Sequence, residues 1–126
     1  MINTPSTFSI YVAGLVFKWI MKQGGLKAIE EYNIEKAEFL YNFIDSSDFY
    51  YNNINSVNRS RMNVPFRIEK DELSSKFVVE AEENGLYGLK GHRIVGGLRA
   101  SIYNAMTLDG VKTLVDFMKK FEKNNK

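Results

Sequence analysis

The chain has 126 residues and carries 17 Lys and Arg against 15 Asp and Glu, so a single domain is expected, and the net +2 is too small to mark a nucleic-acid footprint. Nine Phe, seven Tyr and one Trp supply enough apolar surface to order a core, which excludes a disordered chain. Zero Cys excludes disulfides, thiolate catalysis and cysteine-based zinc sites, and a single His excludes a self-contained multi-histidine metal site.

In chain order, Asn3, Thr4, Pro5, Ser6 and Thr7 are helix-starting residue types. After them Phe8, Val12, Leu15, Val16 and Trp19 recur at helical spacing until Gly24-Gly25 stops the run. This most apolar stretch is interrupted by Ser9, Gly14 and Lys18, short of the roughly 20 residues of a membrane span. The first residues carry no basic n-region, and a soluble cytoplasmic chain is expected. A second helix fits residues 26–44 with Leu26, Ile29, Ala37, Leu40 and Ile44 inward and Lys27, Glu30, Glu31, Glu35 and Glu38 outward. Ser46, Ser47 and Asp48 form a turn before a short β-prone stretch, Phe49, Tyr50 and Tyr51, and residues 52–60 read as polar loop.

Met62, Val64, Phe66 and Ile68 then alternate with Asn63, Pro65 and Arg67, the clearest strand pattern in the chain. Pro65 cannot donate to a ladder, which points to an edge strand or an outward-facing nitrogen. A third helix fits residues 71–83, with Leu73, Phe77, Val78 and Ala81 inward and Gly85 beyond its end. Residues 86–90 suit a short strand, residues 91–97 a glycine-punctuated turn, and Leu98, Ala100 and Ile102 alternate with Arg99, Ser101 and Tyr103 in a second strand. Thr107 suits the cap of a last helix whose stripe is Leu108, Val111, Leu114, Val115, Met118 and Phe121. The expected fold class is an α/β (α+β) sandwich, a small, largely antiparallel sheet with helices on one side.

Charge is unevenly spread, with net −1 over residues 1–45, −2 over 46–85 and +5 over 86–126. Lys119, Lys120, Lys123 and Lys126 belong to the C-terminal helix, where cations suit the dipole. Arg93 and Arg99 lie upstream among glycines, with His92 beside them. A guanidinium offers a planar fork of donors that matches phosphate or carboxylate, and a bound dianion would favour protonated His92. Two arginines, one in a turn and one on a strand, suit a molecule that is anionic at both ends. A solvated loop has the same composition, and the pattern leaves both readings open. Asn3 and Thr4 likewise read either as capping residues or as an anion site at a helix start. The lysines show no neighbouring pattern that would depress a pKa for Schiff-base chemistry. No Walker loop, dinucleotide-binding glycine fingerprint or serine elbow is present.

The run Gly91-His92-Arg93-x-Val95-Gly96-Gly97-x-Arg99-Ala100-Ser101-Ile102-Tyr103-Asn104-Ala105-Met106 resembles the signature near the C-terminus of the phosphoserine aminotransferases. Asn3-Thr4-Pro5-x-Thr7-Phe8, Gly14-Leu15-Val16-Phe17-Lys18-Trp19 and Ser60-Arg61-Met62-Asn63-Val64-Pro65-Phe66 agree with the same family in the same order. The resemblance implies a homodimeric fold-type-I enzyme that uses pyridoxal phosphate to interconvert 3-phosphohydroxypyruvate plus glutamate with phosphoserine plus 2-oxoglutarate. That reaction serves serine biosynthesis and, in many bacteria, a related step serves pyridoxine biosynthesis. It further implies that His92 and Arg93 hold the substrate phosphate and that Arg99 pairs with the α-carboxylate. Asn3 and Thr4 would reach the cofactor phosphate of the other subunit.

Family members are about three times this length, as two-domain enzymes are. The resemblance covers their last third: a bridging helix over residues 1–24 and a small substrate-binding domain over residues 25–126. The large domain, the lysine that attaches the cofactor, the acid at the pyridinium nitrogen and the stacking aromatic have no counterpart here. The chain alone is therefore expected not to transaminate. The apolar helix from Phe8 to Trp19 resembles one that packs on the large domain and on a second subunit, so residues such as Phe17 and Trp19 are expected to face water and favour self-association. The alternative is a non-catalytic orphan module for anion binding or dimerisation.

Overall fold

The computed structural model describes residues 4–126. Helix α1 covers Thr7–Lys22 and α2 covers Gly25–Asp45, followed by β1 (Tyr50–Tyr51), a short 3-10 turn at Ser56–Asn58, β2 (Asn63–Ile68), α3 (Leu73–Glu83), β3 (Lys90–His92), β4 (Gly96–Ser101) and α4 (Leu108–Asn125). Two compact units result, one up to Tyr32 and one from Asn33 onward, with the boundary falling inside α2. Among the described residues no helix is long and apolar enough to cross a membrane.

In the first unit, Gly24 and Gly25 take φ of +100° and +84°, the left-handed turn that ends α1. Along α1, Phe8, Phe17 and Met21 are more than half exposed, while Trp19 is half-buried and Ile20 is buried. Leu26, expected to point inward, is 77% exposed. It lies in the first turn of α2, where the inward stripe has not yet begun to pack.

The second unit is a four-stranded sheet in the order β1-β2-β4-β3, antiparallel at every pairing. Its buried face carries Val64, Phe66 and Ile68 from β2 and Leu98 and Ala100 from β4, the residues that the two-residue alternation selects. The later part of α2, α3 and α4 supply the rest of the core, including Leu40, Ile44, Phe77, Ala81, Val111, Leu114, Met118 and Phe121. Thr107 caps α4 as expected, its hydroxyl accepting from the Gly110 N–H at 3.1 Å. The Tyr50 hydroxyl donates to the Met118 carbonyl at 2.8 Å, and burial pushes its pKa far up, so it remains a neutral donor.

Strand β2 is interior, yet β1 pairs only with Arg67 and Ile68. At Pro65 that side of the ladder is therefore open, and the Pro65 carbonyl accepts from the Asn52 side-chain amide. This is how the sheet tolerates a residue without an N–H. The third strand departs from the sequence pattern. It occupies Lys90–His92 rather than residues 86–90, and the turn it enters is confined to residues 93–95.

Candidate functional site: the glycine hairpin and the Arg99 cavity

Strands β3 and β4 form a hairpin in which Lys90 lies opposite Leu98 and His92 opposite Gly96. Its glycines do two separate jobs. Gly96 and Gly97 take φ of +71° and +67°, the region needed to start β4 straight from the turn. Gly91 admits a close backbone approach: a Cβ there would lie 2.3 Å from the Gly96 carbonyl oxygen and 2.5 Å from that of Gly97. Only backbone stands in the way, so no rotamer change relieves the clash. Gly91→Ala is expected to prise β3 from β4 at a cost of about 1–3 kcal/mol. The Arg99 amide, which donates to Leu89 O at 2.9 Å, would then exchange faster, while the Ile102 amide, held on the β2 side by Met62 O at 2.8 Å, stays slow. Equal exchange of the two would refute the assignment.

The register sets the side-chain directions. His92, Lys90 and Leu98 share one face of the hairpin, and Gly91, Gly97 and Arg99 share the other, with Arg93 in the turn between them. His92 and Arg93 are exposed. The Ile94 N–H donates to His92 Nδ1 at 3.2 Å, which leaves Nε2 to carry the hydrogen and point outward as a donor. Along β4, Arg99 lies three residues beyond Gly96, about 10 Å at the usual strand rise.

Arg99 is half-buried and makes no ion pair among the described residues. Its Nε is buried without any hydrogen-bond partner. A buried charged donor left unpaired is costly. Arg99 lines a cavity of about 570 Å³ together with Leu86, Tyr87, Ser101, Met106 and Thr113. The cavity is mostly apolar, with the guanidinium as its charged group, the usual make-up of a small-molecule site. His92 and Arg93 do not line it.

Two buried polar residues that the sequence pattern passed over support this end of the sheet. Lys36, wholly buried on α2, donates to the carbonyls of Ile102 at 3.3 Å, Tyr103 at 2.9 Å and Met106 at 3.0 Å. Asn33, one turn earlier, donates to Asn104 Oδ1 at 2.8 Å. Together they hold the turn that leaves β4 just after Arg99. Burial lowers the Lys36 pKa, a shift that no neighbouring sequence pattern signals. The available signal was positional: residues 33, 36, 37, 40 and 44 form one helical stripe.

Of the other expected site residues, Asn3 lies outside the described residues, and Thr4 is exposed ahead of α1. The N-cap of α1, Ser6, makes no side-chain capping bond. Lys36, the buried lysine, has its ammonium committed to backbone carbonyls and so does not itself fit covalent attachment of a pyridine-aldehyde cofactor. Among the described residues no group of three or more His, Asp or Glu is placed to hold a metal ion.

Comparison with known proteins adds the lineage of this arrangement. The family model of class-V aminotransferases matches residues 1–114. A phosphoserine aminotransferase of Buchnera aphidicola subsp. Cinara cedri is 62% identical over 123 residues, which are 98% of this chain and 34% of that protein. The solved phosphoserine aminotransferase of Bacillus circulans subsp. alkalophilus superposes with a TM-score of 0.94 at 45% identity, covering 98% of this chain and 35% of that one. A PLP-bound phosphoserine aminotransferase from Trichomonas vaginalis superposes with a TM-score of 0.87 at 45% identity, covering 94% and 34%. The chain thus spans about a third of the length of the relatives it matches.

Proposed function

Since the chain belongs to the class-V aminotransferases, we propose that it is the substrate-binding C-terminal part of a phosphoserine aminotransferase, acting in serine biosynthesis with pyridoxal phosphate. The observation that carries this reading is the unpartnered, buried Nε of Arg99 at the wall of a mostly apolar cavity. A carboxylate entering the cavity completes the guanidinium's hydrogen bonding and meets it in the planar fork geometry that arginine favours.

In this proposal Arg99 takes the α-carboxylate of phosphoserine, while His92 Nε2–H and the Arg93 guanidinium take the phosphate from the turn. His92 lies on the opposite face of the hairpin from Arg99, and neither His92 nor Arg93 lines its cavity, so in this proposal the two grips meet substrate only in a site completed by the large domain and a second subunit. Pyridoxal phosphate, when bound, supplies the electron sink for amino transfer. The share of this chain is to bind and orient the substrate. Asn3 and Thr4 are assigned to the cofactor phosphate of a second subunit. The exposed apolar residues of α1, among them Phe8, Phe17 and Met21, support docking to a large cofactor-binding domain and a second copy in a cytoplasmic homodimer.

The test joins this chain to the preceding two thirds of the Buchnera relative and measures amino transfer from phosphoserine to 2-oxoglutarate. Activity is expected to return, with Arg99→Ala raising the KM for phosphoserine about ten- to hundredfold, the worth of a charge-assisted pair. An unaltered KM would remove the carboxylate role from Arg99, and no activity from a folded fusion would remove the enzyme reading.

A further inference from the structure

The outer face of the sheet holds a third arginine, which the proposed function does not use. Arg67 lies on β2 opposite Gly97, one step along the ladder from the Phe66–Leu98 pair. It therefore shares a face with Gly91, Gly97 and Arg99. Its side chain lies across Gly97: a methyl built on that glycine would sit 3.1 Å from Arg67 Cγ and 3.6 Å from the guanidinium carbon. From there Nη2 donates to the Val95 carbonyl at 2.5 Å, and Nη1 stands 3.9 Å from the Asp71 carboxylate. Val95 is the last residue of the turn that follows His92 and begins with Arg93.

We propose that Arg67 is a positioning residue: laid over Gly97, it clamps the Val95 carbonyl and thereby sets the direction in which the His92–Arg93 turn meets a phosphate. The proposal rests on the phosphate role given to that turn above. Its physical basis is the composition of the turn. Ile94 and Val95 are exposed, and two successive glycines in the left-handed region follow them, so local propensity does little to select one conformation. The bond from the Ile94 N–H to His92 Nδ1 orients the imidazole, but both partners belong to the hairpin itself. The Arg67–Val95 bond ties the turn to the neighbouring strand instead, and a group held by the framework loses less freedom when it binds. Gly97 is needed twice over, for its positive φ and for the space that the Arg67 stem occupies.

The test uses the full chain, labelled for NMR, with Arg67→Met and Arg67→Lys beside the wild type. Amide exchange at Ile94, Val95 and Gly96 reports order in the turn. Titrations with inorganic phosphate, followed at His92 and Arg93, and with acetate, followed at Arg99, report the two anion groups separately. Arg67→Met should speed exchange of the turn amides at least tenfold and weaken phosphate binding severalfold, leaving the acetate response of Arg99 as in wild type. Arg67→Lys, which keeps a donor within reach of the carbonyl, should restore much of both. Unchanged exchange in Arg67→Met overturns the clamp. Phosphate binding that recovers in Arg67→Lys while exchange stays fast assigns the effect to charge alone and overturns it too. A wild type whose His92 and Arg93 ignore phosphate defeats the underlying phosphate role, and the exchange comparison still decides whether Arg67 orders the turn.

Discussion

Phe77→Ala is expected to destabilise the sheet-bearing unit by about 3–5 kcal/mol, the range for removing a fully buried phenylalanine. Phe77 projects from α3 into the middle of the core, wholly buried. Its ring meets Phe121 at 5.0 Å, Phe117 at 5.1 Å, Phe66 at 5.8 Å and Tyr50 at 6.1 Å, each in an edge-on geometry. Those partners come from α4, β2 and β1, so one side chain joins the helix layer to the sheet. Edge-on pairs add to simple area burial, which places this site toward the upper end of the range. Rings fixed by other rings cannot collapse into the space left, so a cavity persists. Thermal unfolding should show a midpoint lower by about 10–20 °C, with Phe77→Leu losing less than half as much. A drop of only a few degrees for Phe77→Ala would show that the core repacks, and that this cluster is not what joins the layers.

Most of that core was legible beforehand because periodicity reports burial directly. Val64, Phe66 and Ile68 alternate, Leu98 and Ala100 alternate, and Val111, Leu114, Val115, Met118 and Phe121 repeat at helical spacing. Local signals of this kind survive folding because the same face must stay dry. The sequence pattern starts the third strand four residues before its true beginning because its identity is not local. Lys90, Gly91 and His92 have no strand propensity; they are extended because β4 pairs with them and because Gly91 lets the two backbones close. A glycine there reads as a turn, whereas its use is to leave room for a neighbour.

The candidate site divides along the same line. Alternation puts Arg99 off the core face, where the structure has it, but does not reveal the cavity beside it, since Leu86 and Tyr87 reach it from a segment with no periodic pattern. The sequence placed Arg67 on the polar side of β2 but could not show that its partner is a carbonyl 28 residues away. Charged residues on a polar strand face look alike until the register brings one of them to a particular backbone atom.

Lys36 was invisible for a related reason: a lysine is assumed to face water. Lys36→Met keeps the aliphatic stem and removes the donors, and it is expected to cost about 2–4 kcal/mol, because the carbonyls of Ile102, Tyr103 and Met106 lose a charged partner in a dry setting. The damage should be local as well as global. Those carbonyls lie between Arg99 and the cap of α4, so amide exchange at Tyr103, Asn104 and Met106 should rise before that of the sheet centre. Burial lowers the Lys36 pKa, so at alkaline pH, below the ordinary lysine value, the folded chain has shed a proton that the unfolded chain still holds. Unfolding then takes up a proton, and stability contributed by this group increases as pH rises through that window. The difference in unfolding free energy between wild type and Lys36→Met should therefore widen with rising pH. A difference that narrows would mean that the three carbonyls favour the ammonium more strongly than burial opposes it, and that the folded chain holds this proton more tightly than the unfolded one.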